Sequence, residues 1–263
     1  ADRAAEALRR VLEQLQAVLL RQGLHAPVHQ RARGAAIADA HPDWQLVLVG
    51  RDLSRLQATY GNDHLQVEAD CSTFEGAAQV MSLAEAAGLV PQALAHCVGN
   101  IRLGALHRMN PKDFEDCLQA NLISAFASLG AFVGGLRQKN LPGSAVLVSS
   151  VAAQIGTPNH EAVAAAKAGV EGLARGAAAT YAPYGIRVNV VAPGIMDSPA
   201  TQSILGTDAA RGAAARQYPI QGIGTTDELA ELMVWLMSEN SARVTAQVWS
   251  VDGGFTGIRP LVK

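Results

Sequence analysis

Short runs rich in β-branched residues and leucine alternate along this chain with longer alanine-rich stretches in which apolar positions recur at helical spacing. That alternation is the pattern of parallel strands joined by crossover helices. Strands are predicted at 45–49, 64–68, 93–97, 144–149, 186–191 and 246–251, with a weaker one at 17–20 that comes first in the chain. Together they predict an α/β fold with a doubly wound, mostly seven-stranded parallel sheet and helices on both faces. One domain is expected over 1–263, with a helical extension at 1–16.

Local signals sharpen the helices. Asn110-Pro111 reads as an N-cap followed by proline at the first helical position, and Asp113 suits the positive end of the helix dipole. The stretch 159–181 is alanine-rich and holds no proline, so it is expected to be one long helix that stops before Pro183 and Gly185. The less periodic segment 198–224 reads either as a flap over a cleft or as a plain surface connection.

Composition narrows the function classes. The 263 residues are 49% apolar and 17% charged, with a formal net charge of −2, so no global field favours nucleic acid or an anionic membrane. A small-molecule ligand is expected instead. Cys71, Cys97 and Cys117 match neither a zinc-ligand spacing nor a disulfide framework, and they read as buried thiols of a reducing cytoplasm with no metal. Charged residues interrupt the first twenty positions, so no signal peptide or membrane span is expected there.

From Leu46 onward, ordered motifs accumulate. Val49-Gly50-Arg51-Asp52 follows the first of the stronger strands, and Leu94-Ala95-His96-Cys97-Val98-Gly99 resembles an Asn-Asn-Ala-Gly turn with its glycine kept. Asn121-Leu122 falls in a helix, Ser149-Ser150 closes a strand, and Ile186 to Gly194 reads Ile-Arg-Val-Asn-Val-Val-Ala-Pro-Gly. Val251-Asp252-Gly253-Gly254 closes the series. In this order and spacing the chain resembles the short-chain dehydrogenase/reductase family over about 215 residues, which implies a Rossmann-like fold, a nicotinamide cofactor and a homodimer or homotetramer.

The resemblance also implies roles. Ser150 and Lys167, separated by 17 positions as in the family, would bond a substrate carbonyl and the nicotinamide ribose hydroxyls. Asn121 would hold a water linked to Lys167. Asp70 would lie against the adenine, Gly99, Pro193 and Gly194 would line the cofactor, and Ser198 would bond the carboxamide. The catalytic tyrosine, expected four residues before Lys167, is Val163. An isopropyl group cannot transfer a proton, and general acid catalysis is typically worth ~10²–10⁴-fold. His160, seven residues before Lys167 and only about 20° off its helical position, is a candidate replacement acid, because it stands where the superfamily's enoyl reductases place their tyrosine. The alternative is a helix-start residue that caps the helix or simply faces solvent.

The phosphate turn departs as well. A dinucleotide turn needs glycines for close backbone approach to the pyrophosphate. The stretch Gln22 to His29 keeps Gly23, but Pro27 lacks an N–H and His29 adds bulk. Arg21, His25, His29, Arg31 and Arg33 offer side-chain charge instead; alternatively the region no longer binds phosphate, or a helix from Ala4 runs through Leu20 and removes the first strand. Arg51, just past the strand end, suits a 2′-phosphate, so NADP(H) is favoured over NAD(H). The expected function is an atypical NADP(H)-preferring oxidoreductase acting on a carbonyl or an activated double bond. The alternative is a non-catalytic relative serving as a sensor or assembly subunit.

Overall fold

The computed structural model describes residues 17–21, 44–60 and 64–259. Its strands are β1 (Ala17–Arg21), β2 (Gln45–Gly50), β3 (Leu65–Glu68), β4 (Ala93–His96), β5 (Gly143–Val148), β6 (Ile186–Pro193), the two-residue β7 (Met196–Asp197) and β8 (Gly224–Thr225), and β9 (Val248–Val251). The helices are α1 (Leu53–Tyr60), α2 (Phe74–Ala86), α3 (Pro111–Leu118), α4 (Ser124–Lys139), α5 (Glu161–Tyr181), α6 (Gln202–Leu205), α7 (Asp208–Ala215) and α8 (Thr226–Met237). The seven-stranded sheet runs β3-β2-β1-β4-β5-β6-β9.

Two-residue periodicity sorts the strands' side chains onto two faces. Val47, Val49, Leu94, Leu147 and Val190 pack with Phe132 and Leu136 of α4 and with Val170 and Ala174 of α5. Leu46, Leu48, Ala95, Val146 and Val191 meet Leu229, Met233 and Leu236 of α8. Burying each such large side chain stabilises the fold by roughly 1.5–3 kcal/mol. The stretch Pro111–Lys139 is long and apolar enough to cross a membrane by composition, but half of its most apolar window is buried inside the fold.

Every predicted strand is present within a residue or two. The first differs in direction: β1 pairs antiparallel with both β2 and β4, Ala17 lying opposite Val49 and His96, and Arg21 opposite Gln45. The other six strands are mutually parallel. Chain leaving Arg21 therefore starts at the amino edge of the sheet, opposite the edge where β2, β4, β5 and β6 end. Gly23 and the rest of the 22–29 turn, like the 1–16 extension, lie outside the described residues. The helix that would have run through Leu20 is excluded, because Ala17–Arg21 is a strand.

Helix ends follow the predicted chemistry. Asn110 caps α3, its side chain accepting from Lys112 N at 2.9 Å with Pro111 in the first turn. Between α3 and α4 the chain makes a single π-turn over Gln119–Ile123, in which Ser124 N reaches back five residues to Gln119 O. The Ala120 carbonyl instead accepts from the Ser124 hydroxyl at 2.7 Å. At the other end of the sheet, Arg187 donates to Leu236 O (2.8 Å), Ser238 O (3.0 Å), Val244 O (3.2 Å) and Ser241 Oγ (3.0 Å). A cation there meets the negative end of α8.

Candidate active site

The carboxyl ends of β4, β5 and β6 bring most of the singled-out residues together. Gly99, three residues past β4, is the pivot: a Cβ there would lie 2.5 Å from Asn121 Oδ1 and 3.2 Å from Lys167 Nζ. Only glycine allows this close approach. The π-turn aims Asn121 inward, where its Nδ2 donates to Cys117 O (2.9 Å), Asn100 O (3.1 Å) and Asn100 Oδ1 (3.0 Å). Its Oδ1 is buried without a partner among the described residues.

Lys167 sits in mid-α5 with its side chain under the end of β5. It is 7% exposed, its Nζ donates to Val148 O at 2.8 Å, and no carboxylate pairs with it among the described residues. Burial pushes its pKa down to about 8. An ammonium has three hydrogens, so donors remain beside the unpartnered Asn121 oxygen. A nicotinamide ribose, with hydroxyls that both donate and accept, fits this pair of groups. A nicotinamide cofactor held there would supply a hydride.

Ser150 caps the turn Val151–Ala153, its Oγ accepting from Ala152 N at 3.2 Å. Its own hydroxyl hydrogen has no acceptor among the described residues. Ser149 points the other way, donating to Lys167 O (3.2 Å) and to the buried Glu171 (3.0 Å), and so fastens α5 to β5.

Val163 is 4% exposed and packs in a small apolar cluster with Cys117, Ala162 and Ala166, against Met109, Phe114 and Leu118. The position is wall rather than proton donor. His160 stands at the helix start, the setting of the alternative reading. The helix begins at Glu161 rather than 159, His160 is its N-cap residue, and the ring is tied through Nδ1 to Pro158 O at 2.8 Å, leaving Nε2 uncommitted. Helical spacing alone therefore does not fix where the ring points.

Beyond the carboxyl ends of β2 and β3, Arg51 is exposed and lies near Asp70. Partial burial opposes the charge of Asp70, but hydrogen bonding from Ser72 and the Arg51 guanidinium hold its pKa below the usual range. Asp52 does not pair with Arg51; it caps α1 by accepting from Arg55 N at 3.0 Å. Ser198 is engaged in its own turn with Thr201 Oγ1 at 3.2 Å.

Tyr218, which carries no sequence signal, and His96, named above only as part of the turn motif after β4, also border the site. Tyr218, in the 198–224 segment, lays its ring where a Cβ on Gly194 would come within 2.9 Å, and its hydroxyl accepts from Ile195 N at 2.7 Å. The cleft beside it, about 240 Å³, is lined by Gly194, Ile195, Ile220 and Asp252 among others. The 198–224 segment is further tied by the Arg211–Asp197 ion pair. His96, where the family has an asparagine, is fully enclosed; burial pushes its pKa down to about 3, so it is neutral, and its Nε2 has no partner among the described residues. A larger cleft of about 490 Å³ opens at the amino edge around Arg187 and Gly143, away from these groups.

The strand order, with helices on both faces and polar groups converging at the carboxyl edge, defines a Rossmann-like doubly wound α/β protein. Residues 31–256 match the family described as enoyl-(acyl carrier protein) reductase. The chain belongs to the short-chain dehydrogenase/reductase family of oxidoreductases. It is 33% identical over 234 residues to the inactive 2-(S)-hydroxypropyl-CoM dehydrogenase 2 of Xanthobacter autotrophicus, covering 86% of this chain and 100% of that protein. It is 36% identical over 162 residues to a 3-oxoacyl-[acyl-carrier-protein] reductase of Thermotoga maritima, covering 61% of this chain and 64% of that protein. The fold is similar to a gluconate 5-dehydrogenase from Burkholderia cenocepacia in complex with NADP and tartrate. There the TM-score is 0.75 at 24% identity, over 81% of this chain and 86% of that one.

Proposed function

We propose that this chain is an atypical, NADP(H)-preferring oxidoreductase that acts on a carbonyl or an activated double bond of a small molecule, with proton delivery moved away from position 163. The observation that carries this reading is the Lys167, Asn121 and Gly99 arrangement: unused ammonium hydrogens and an unpartnered buried amide oxygen against a glycine. Lys167 would hold the ribose hydroxyls, Asn121 a water, and Ser150 the substrate oxygen. Gly99, Pro193, Gly194 and Ser198 would line the nicotinamide half, and Arg51 would favour a 2′-phosphate over NAD(H). Asp70 would meet the adenine; the pyrophosphate role expected of Gly23 is not carried over, because β1 ends at Arg21 on the opposite edge of the sheet. His160, through its uncommitted Nε2, is the candidate acid. NADP in the gluconate 5-dehydrogenase relative supports the cofactor preference.

Calorimetric titration with NADPH and NADH on the wild type, Lys167→Ala and Arg51→Ala tests this. Tighter NADPH binding that weakens in both variants is expected, and no binding at millimolar cofactor overturns the reading.

A second reading, a non-catalytic relative serving as a sensor or assembly subunit, is favoured by one observation: Val163 is packed into an apolar cluster with no acid in its place. The relative named inactive supports it. It stands if NADPH binds yet no carbonyl or enoyl substrate turns over, and it falls if turnover is found and His160→Ala abolishes it. Exposed Phe126 and Gly130 on α4, with exposed Ala168 and Gly172 on α5, support assembly as a homodimer or homotetramer. Sedimentation equilibrium decides between them.

A further inference from the structure

Resting on the oxidoreductase reading above, we propose that the substrate is a small amphipathic anion, an apolar body with a carboxylate or sulfonate head, read by the loop that follows β4. Residues 101–108 combine two chemistries: Ile101, Leu103 and Leu106 are 38%, 47% and 70% exposed, Arg102 stands between the first two, and His107 and Arg108 follow the third. Scattered exposed apolar residues need no explanation, but three within six positions form a patch. The stretch 99–110 contains no acidic residue. Neither Arg102 nor Arg108 has a carboxylate partner among the described residues.

The loop is a built surface fixed over the site. Gly104 N donates to Asn159 O at 2.9 Å, joining it to the chain that enters α5, and Leu106–Arg108 forms a 3-10 turn closed by Arg108 N to Ala105 O at 2.9 Å. Met109 turns inward against the Val163 cluster, so the floor beneath the loop is apolar. Arg102 lies close to the Cys117 thiol. Burial pushes that thiol's pKa up, while hydrogen bonding with Asn121, the Lys167 charge, the Arg102 backbone and, least, the Arg102 charge act in the opposite direction. A ligand reaching Lys167 from this side passes an apolar wall and a cationic rim together. A neutral polar substrate would leave the cations unanswered, and an apolar cation would be repelled.

Calorimetry with octanoate, octane-1-sulfonate and octanamide, in the presence and absence of NADPH, tests this on the wild type and the Arg102→Gln/Arg108→Gln double variant. Both arginines are exposed, so the variant is expected to keep its fold, and circular dichroism checks this. Both anions should bind about tenfold more tightly than the amide, a preference the double variant loses while its amide affinity is unchanged. The octanoate and sulfonate arms tell which head group is preferred. Equal binding of amide and anions overturns the proposal, as does a preference that survives in the double variant. Binding confined to phosphatidylglycerol vesicles also overturns it and makes the loop a membrane contact. Anion binding without any NADPH binding overturns the oxidoreductase reading alone.

Discussion

Replacing Lys167 by methionine should make the protein more stable at neutral pH. The wild-type ammonium is 7% exposed, has one acceptor and no carboxylate partner, and its pKa falls from 10.5 to about 8 because burial disfavours the charge. At about 1.4 kcal/mol per tenfold change in the proton equilibrium, that fall corresponds to roughly 3 kcal/mol of instability while the group stays charged. Methionine keeps most of the length and packing, removes the charge, and forfeits the bond to Val148 O, worth about 1 kcal/mol. The net expectation is a gain of about 2 kcal/mol at pH 7. The sign with pH follows from the depressed lysine pKa. Between about pH 8 and 10.5 the unfolded chain holds the proton and the folded chain does not, so wild-type stability rises across that window. The advantage of Lys167→Met therefore shrinks and is gone by pH 10.5. Urea unfolding of both proteins at pH 7, 9 and 10.5 reads this directly. A variant less stable than wild type at pH 7, or a difference that stays constant across the window, refutes the reasoning.

Gly99→Ala places a methyl 2.5 Å from Asn121 Oδ1; a loss of about 1–3 kcal/mol in thermal or urea unfolding is expected, together with loss of NADPH binding by calorimetry. Arg187→Met strips one guanidinium from four acceptors at the end of α8, and urea unfolding should show a loss of about 3 kcal/mol or more. Tyr218→Phe leaves Ile195 N without its acceptor, for about 1 kcal/mol in thermal unfolding. Val163→Tyr must enlarge a side chain that is only 4% exposed, so a lowered melting temperature, by about 1–3 kcal/mol of stability, should accompany any gain in turnover.

Much of the fold was legible because burial imposes a period. Leu46 and Leu48 face one layer and Val47 and Val49 the other, and that alternation marks β2 without any knowledge of its neighbours. The same alternation reads identically in both chain directions, so nothing in 17–21 revealed that β1 runs against its neighbours. Asn110-Pro111 announced α3 through local chemistry, and the structure places the cap where the sequence put it. His160 was less legible, since helical spacing holds only inside a helix and this residue is the cap before it. Tyr218 gave no signal at all: its role depends on a contact with Ile195, 23 residues away, that no local pattern encodes.

The π-turn at Gln119–Ile123 has a consequence for how the site tolerates change. A wide turn is the conformational equivalent of one extra residue spliced into a helix, and it offsets the sequence phase of everything downstream by about 100°. Phe114 and Cys117 before it can face α5 while Phe132 and Leu136 after it face the sheet. Deleting one residue of that turn would leave a regular helix whose two halves keep their faces, because the extra residue is what the wide turn absorbs; what would be lost is the turn itself and with it the aim of Asn121 at Lys167. The packing on either side is therefore tolerant of that loss, and the site is not.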